Sequence, residues 1–114
     1  MNLLSLPINT QKATALLKAM SNEKRLQILC LLADGEKSVS ALEKVVDLSQ
    51  SALSQHLARL RQDDLVTTRR SAQTIYYSLQ DDRAIRILRT LHDIYCPGES
   101  ARAANHPNCG EVAA

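Results

Sequence analysis

Between Ser49 and Gln62 the chain sets hydrogen-bonding side chains at helical spacing. Ser51, Ser54, Gln55, Ala58, Arg59 and Gln62 share one side of a helix whose other side carries Leu53, Leu57 and Leu60 at i, i+4 and i+7. Gln bonds adenine through N6 and N7, Arg bonds guanine through O6 and N7, and Ser reaches base edges or phosphate oxygens, so this side has the chemistry to read a DNA major groove. Ser49 is a ready N-cap ahead of Gln50, and the first turn of such a helix aims unpaired backbone N–H groups at a phosphate. His56 either contacts DNA or packs within the surrounding helices. An amphipathic surface helix with a solvated polar face has the same period, so the neighbouring elements have to decide between the two.

Thiol chemistry is the second possibility. Cys30, Cys96 and Cys109 are too few and too scattered for a disulfide scaffold, and in a reducing compartment a bridge would be a signal and not a staple. A free Cys among leucines, as at Cys30, is commonly just a small core residue. His106-Pro107-Asn108-Cys109 offers one His and one Cys to a metal, with His92 as a further ligand. His92 and Asp93, being adjacent, point to different sides of a helix. There is no Ser-His-Asp set, no glycine-rich phosphate loop and no carboxylate pair in an apolar setting, so neither an enzyme nor a bound cofactor is expected.

The elements that must position these residues follow from composition and period. A chain of 114 residues is one domain by length, and with aromatics at 3% and neither Phe nor Trp its core must come from Leu, Ile, Val and Ala, which favours helices. A net charge of +2 identifies no nucleic-acid binder by itself, but residues 49–80 carry more Lys and Arg than Asp and Glu, whereas 81–96 are balanced. No apolar run is long enough for a membrane span and the N-terminus lacks the order of a signal peptide, so a cytoplasmic protein with no membrane partner is expected.

Residues 1–8, interrupted by Pro7, read as an arm. A first helix starts at Asn9 or Thr10 and carries Ala13, Leu16, Leu17 and Met20 on one face. Ser21 or Asn22 caps a second, from 23 to about 34, apolar around nearly its whole circumference and therefore central, with Gly35 ending it. Ser38 or Ser40 opens a short third helix over 41–46, and Asp47-Leu48-Ser49 turns into the polar-faced helix, which makes a helix-turn-helix. The period then changes to alternation in 65–70 and 74–79, two strands of a hairpin joined by Ser71-Ala72-Gln73. Arg69, Arg70 and Gln73 at this wing tip have the chemistry to touch phosphates or the minor groove. Asp81-Asp82 open a last helix with Ile85, Leu88, Leu91, Ile94 and Tyr95 on its apolar stripe up to Cys96-Pro97, and 97–114 read as a flexible tail. The expectation is a mainly α winged helix-turn-helix domain over 9–96, in the order α-α-α-α-β-β-α. Wide apolar faces on the first and last helices imply a homodimer, and two-fold symmetry then implies an inverted-repeat operator in double-stranded DNA with half-sites roughly 34 Å apart.

This order resembles the ArsR/SmtB family of bacterial winged-helix repressors. Leu16-Leu17-Lys18-Ala19-Met20-Ser21 followed by Arg25-Leu26-Gln27-Ile28-Leu29 is similar to the family's first-to-second helix junction. Leu48-Ser49-Gln50-Ser51-Ala52-Leu53-Ser54-Gln55-His56-Leu57 resembles its recognition helix, and Ile75-Tyr76-Tyr77-Ser78-Leu79 its second wing strand. Members that bind metals through the third helix place two Cys there, whereas Ser38-Val39-Ser40-Ala41-Leu42-Glu43 has none, and the last helix lacks the carboxylate and His set of zinc-binding members. No metal site is expected there. A Cys at each of positions 30 and 96 resembles the sulfide- and persulfide-responsive branch, the BigR, SqrR, YgaV and HlyU type. That resemblance implies that reactive sulfur species join Cys30 and Cys96 by a disulfide or polysulfide and lower DNA affinity. The alternatives are a metal-sensing repressor of the same fold, using thiol and His ligands, and a DNA-binding regulator indifferent to redox state.

Overall fold

The computed structural model describes residues 9–96. In chain order it contains α1 (Thr10–Met20), α2 (Glu23–Ala33), β1 (Lys37–Ser38), α3 (Val39–Val45), α4 (Gln50–Gln62), β2 (Val66–Ser71), β3 (Thr74–Leu79) and α5 (Arg83–Tyr95). The arm over 1–8 and the tail over 97–114, with His106 and Cys109, lie outside the described residues.

Each helix begins where a side chain satisfies its first amides. Asn9 Oδ1 accepts from Lys12 N at 3.0 Å, Asn22 Oδ1 from Lys24 N and Arg25 N at 2.9 and 3.1 Å, Ser38 Oγ from Ala41 N at 3.1 Å, and Ser49 Oγ from Ala52 N at 3.2 Å. Because Ser38 and not Ser40 is the cap, α3 starts two residues earlier than expected. At the start of α5 the side chain of Asp82 makes no cap bond, and Asp81 Oδ1 takes the Arg83 amide at 3.0 Å. Gly35 follows α2 at φ 136°, a conformation L side chains rarely adopt.

α2 is central, as its apolar circumference implies, packing against α1, α4, α5 and β3. Leu53, Leu57 and Leu60 of α4 join Ile28, Leu29, Leu42, Leu65 and Val66 in a core where each is no more than 2% exposed. The helix-turn-helix is thereby held by aliphatic packing on the back of α4, which leaves its front free.

The sheet differs from expectation in one element. Lys37 and Ser38 pair with Tyr77 and Tyr76, so the hairpin acquires a third strand and the order is β1-β3-β2, all antiparallel. Two residues are too short to give a period. The hairpin register runs from Val66↔Leu79 to Ser71↔Thr74, which shortens the connection from three residues to Ala72-Gln73. Ala72 has φ 57°, the positive value that a tight hairpin turn demands and that Gly ordinarily supplies. Among the described residues no helix is long and apolar enough to cross a membrane.

Candidate nucleic-acid interface and thiol pair

The polar side of α4 is presented whole. Gln50, Ser51, Ser54, Gln55, Ala58, Arg59 and Gln62 are exposed, as is the cap Ser49. The Ser49 hydroxyl is occupied by the Ala52 amide and lies 3.4 Å from Ser51 Oγ, so its part is to start the helix. Arg59 Nε donates to Asp63 Oδ2 at 2.7 Å, an i,i+4 pair half open to solvent. Such a pair is worth about 0.3–0.5 kcal/mol, little enough for a phosphate or a guanine to take the guanidinium over. Asp63 was not among the sequence-expected residues, although its spacing from Arg59 could have signalled it. Arg61, equally overlooked, is exposed beside the same side and lines a cleft of about 480 Å³ with Ser54, Ala58 and Tyr77.

His56 is placed differently from its neighbours. It is half-buried, and burial together with the positive charge of Arg25 on α2 lowers its pKa, so the imidazole is neutral at neutral pH. Arg25 itself donates to the Ala19 carbonyl at 2.7 Å and lies 3.4 Å from that of Lys18, closing the end of α1.

The wing separates its two arginines by strand alternation. Arg70 and Gln73 are exposed at the tip. Arg69 is committed elsewhere: Nη2 and Nε donate to Glu36 Oε1 and Oε2 at 2.7 and 2.8 Å, and the guanidinium lies 4.5 Å over the Tyr76 ring. The bond to Glu36 raises the Arg69 pKa further. Glu36, 33 residues away in sequence, could not be paired with Arg69 from spacing alone.

Cys30 and Cys96 lie on two helices that pack together, Cys30 within α2 and Cys96 at the C-cap of α5. Cys30 is a free thiol, half-buried and not enclosed by leucines on every side, and burial raises its pKa. Cys96 is 7% exposed and disulfide-bonded, so in this structure it is not joined to Cys30. Among the described residues, no three His, Cys, Asp or Glu side chains gather into a group that could hold a metal. Three large apolar side chains of the outer helices stand open, Leu17 of α1 at 56% and Ile94 and Tyr95 of α5 at 59% and 67%.

Comparison with known proteins points to one family. The profile described as bacterial regulatory protein, arsR family, matches residues 22–68, from the N-cap of α2 into β2. The transcriptional activator HlyU of Vibrio cholerae is 54% identical over 84% of this chain and 89% of its own. The HTH-type transcriptional regulator YgaV of Escherichia coli is 46% identical over 83% of this chain and 97% of its own. The crystal structure of the transcriptional repressor BigR from Xylella fastidiosa superposes with a TM-score of 0.78 at 34% identity, covering 84% of this chain and 98% of that one. With a five-helix winged fold, an open polar face on its second helix-turn-helix helix and relatives of this kind across most of its length, the chain belongs to the arsR family of bacterial transcriptional regulators.

Proposed function

We propose that this regulator is a cytoplasmic, homodimeric repressor that binds an inverted-repeat operator and leaves it when reactive sulfur species join Cys30 to Cys96. The observation that carries the DNA half is the division of α4, with Leu53, Leu57 and Leu60 sealed in the core while Gln50, Ser51, Ser54, Gln55 and Arg59 all face outward. In this reading Gln55, Ser54 and Arg59 meet base edges, Ser51 and the first-turn amides of α4 not taken by Ser49 meet phosphates, His56 sits at the inner margin, and Arg70 with Gln73 reaches the backbone from the wing. Leu17, Ile94 and Tyr95 form the dimer face, since burying side chains of this size contributes about 1.5–3 kcal/mol each.

The sensing half is supported by the placement of the two cysteines on packed helices, one central and one at the outer end of the domain. The chemistry starts from reduced protein. A small persulfide hands its outer sulfur to Cys30, giving a Cys30 persulfide and one free thiol. The Cys96 thiolate then attacks the inner sulfur, forming the Cys30–Cys96 disulfide and expelling hydrosulfide. Two thiols are oxidised and the transferred sulfur is reduced to sulfide. The raised pKa of Cys30 and the helix C-terminus at Cys96 both disfavour thiolate, so peroxide acts slowly, whereas a small protonated persulfide brings an electrophilic outer sulfur and a thiolate leaving group to Cys30. A bond between α2 and α5 shifts the dimer helix against the body that carries α4, and two recognition helices locked to a fixed half-site spacing tolerate little rotation.

The test uses fully reduced protein and an operator selected from a random pool. Parent protein and Cys109→Ser leave the operator on polysulfide treatment, with the loss of two hydrogens in intact mass, or the gain of sulfur if the bridge is longer. Cys30→Ser and Cys96→Ser bind and stay bound. If Cys30→Ser is still released, the two-thiol switch is wrong. Release by zinc or copper in place of polysulfide would favour the metal-sensing reading.

A further inference from the structure

Glu36, Tyr76 and Arg69 make a line of side chains across one face of the three-stranded sheet. Tyr76 of the middle strand pairs with Ser38 of β1 on one side and with Arg69 of β2 on the other, and Glu36 directly precedes β1. Residues directly opposite in an antiparallel pair share a face, which is why the Tyr76 ring lies under the Arg69 guanidinium, 4.5 Å from its centroid. The carboxylate of Glu36 closes the other end with two bonds of 2.7 and 2.8 Å in fork geometry. The Arg69 side chain is nevertheless 57% exposed, so the guanidinium is neutralised without being hidden. Arg70, one residue on, projects from the opposite face of the strand and forms no ion pair or side-chain hydrogen bond among the described residues.

We infer that Glu36 is a specificity-determining residue for DNA binding: it cancels the charge of Arg69 and ties the wing to the helix-turn-helix body. The inference rests on the reading that the wing approaches DNA. An arginine free on a wing contacts any phosphate and strengthens binding to every sequence alike. Held by Glu36, Arg69 adds no such contact. It fixes the pose of the wing, so that binding depends more on the base edges met by α4. Glu36 lies outside α4 and the hairpin, where a search for DNA-contacting residues by charge would pass over an acid.

The experiment measures binding to the selected operator and to a random-sequence duplex of about three helical turns over a range of salt concentrations. Glu36→Gln releases the guanidinium. Its affinity for random DNA rises at low salt, the slope of log affinity against log salt steepens by about 0.9, and the gain shrinks about threefold between 50 and 200 mM salt. Operator affinity rises less, because the wing freed from Glu36 also loses the pose that sets α4 on its base edges, so discrimination falls. Adding Arg69→Gln returns the slope to the parental value. Arg70→Gln, made separately, flattens the slope by about 0.9 if the wing meets DNA. A Glu36→Gln slope equal to the parent's, with Arg70→Gln flattened, overturns the role of Glu36 alone. A double variant flatter than the parent overturns it too, because Arg69 would then already hold a phosphate. If Arg70→Gln and Glu36→Gln both leave the slope unchanged, the wing does not meet DNA and both readings fall.

Discussion

Asp64→Gly is expected to stabilise the domain by about 1 kcal/mol, and the reason lies in how α4 ends. After the C-cap Asp63 the chain enters the left-handed region at Asp64, φ 58°, and two bonds close the helix: Asp64 N to the Arg61 carbonyl at 3.1 Å and Leu65 N to the Leu60 carbonyl at 3.0 Å. This is the Schellman arrangement, in which Gly is preferred because a Cβ in this region crowds the following carbonyl. That crowding costs about 1–2 kcal/mol for most residues and less for Asp. A carboxylate at this end also opposes the helix dipole, by about 0.3–1 kcal/mol. Against both gains stands the greater unfolded-state freedom of Gly, about 0.4–1 kcal/mol. The Asp64 side chain forms no hydrogen bond or ion pair among the described residues, and what α5 uses is the Asp64 carbonyl, which accepts from Arg83 Nη2 at 2.6 Å and survives the substitution. Urea unfolding at neutral pH should show a higher midpoint with an unchanged slope, and a melting temperature higher by about 4–8 °C per kcal/mol for a domain of this size. Asp64→Ala removes the same charge but keeps a Cβ, so it isolates the backbone effect and should be less stable than Asp64→Gly by about 1 kcal/mol. Equal stability of the two variants would refute the argument from backbone conformation.

Gln55→Ala and Ser54→Ala, both on the exposed side of α4, should each weaken operator binding by about 1–3 kcal/mol while leaving the melting temperature unchanged; normal operator affinity in Gln55→Ala would remove the polar side as the reader. Asp81 accepts from the Arg83 side chain at 2.9 Å, and this bond lowers its pKa in the folded state. The stabilisation it provides is therefore present above the unfolded carboxylate pKa of about 3.9 and lost as pH falls through the folded value. Asp81→Asn should be less stable than the parent at pH 7, the two converging in acid, and a stability gap independent of pH would exclude the ionised bond as its source. Cys30 runs the other way: with its pKa raised by burial, alkylation in a Cys96→Ser, Cys109→Ser background should be slower than for a peptide thiol and should still be climbing at a pH where the peptide thiol, with its pKa of about 8.5, has levelled off. In the same background, stability relative to a variant that also carries Cys30→Ala should fall as pH rises through the folded pKa, because the unfolded thiol ionises first. An alkylation profile that levels off together with that of the peptide thiol would show an unburied thiol.

What the sequence by itself determined was everything governed by local period and local hydrogen bonding. Leucines at i, i+4 and i+7 place the back of α4, Asn22 and Ser49 start their helices from side-chain oxygens three residues or fewer away, and Gly35 marks the end of α2. The polar side of α4 was legible for the same reason, since the residues left over from an apolar stripe must face away from it. Tertiary structure decided whatever depends on residues distant in the chain. β1 exists only because β3 arrives beside it, and a two-residue strand has no pattern to announce it. The turn at Ala72 runs against local preference and is held by the six cross-strand pairs between β2 and β3. His56 sits on the polar helix by period, yet it is half-buried near Arg25 because α2 crosses behind that point. Arg69 and Arg70 are neighbours of the same charge in the sequence, and only the fold separates them. Strand alternation sends them to opposite faces, and the chain's return through Glu36 gives one of them a carboxylate.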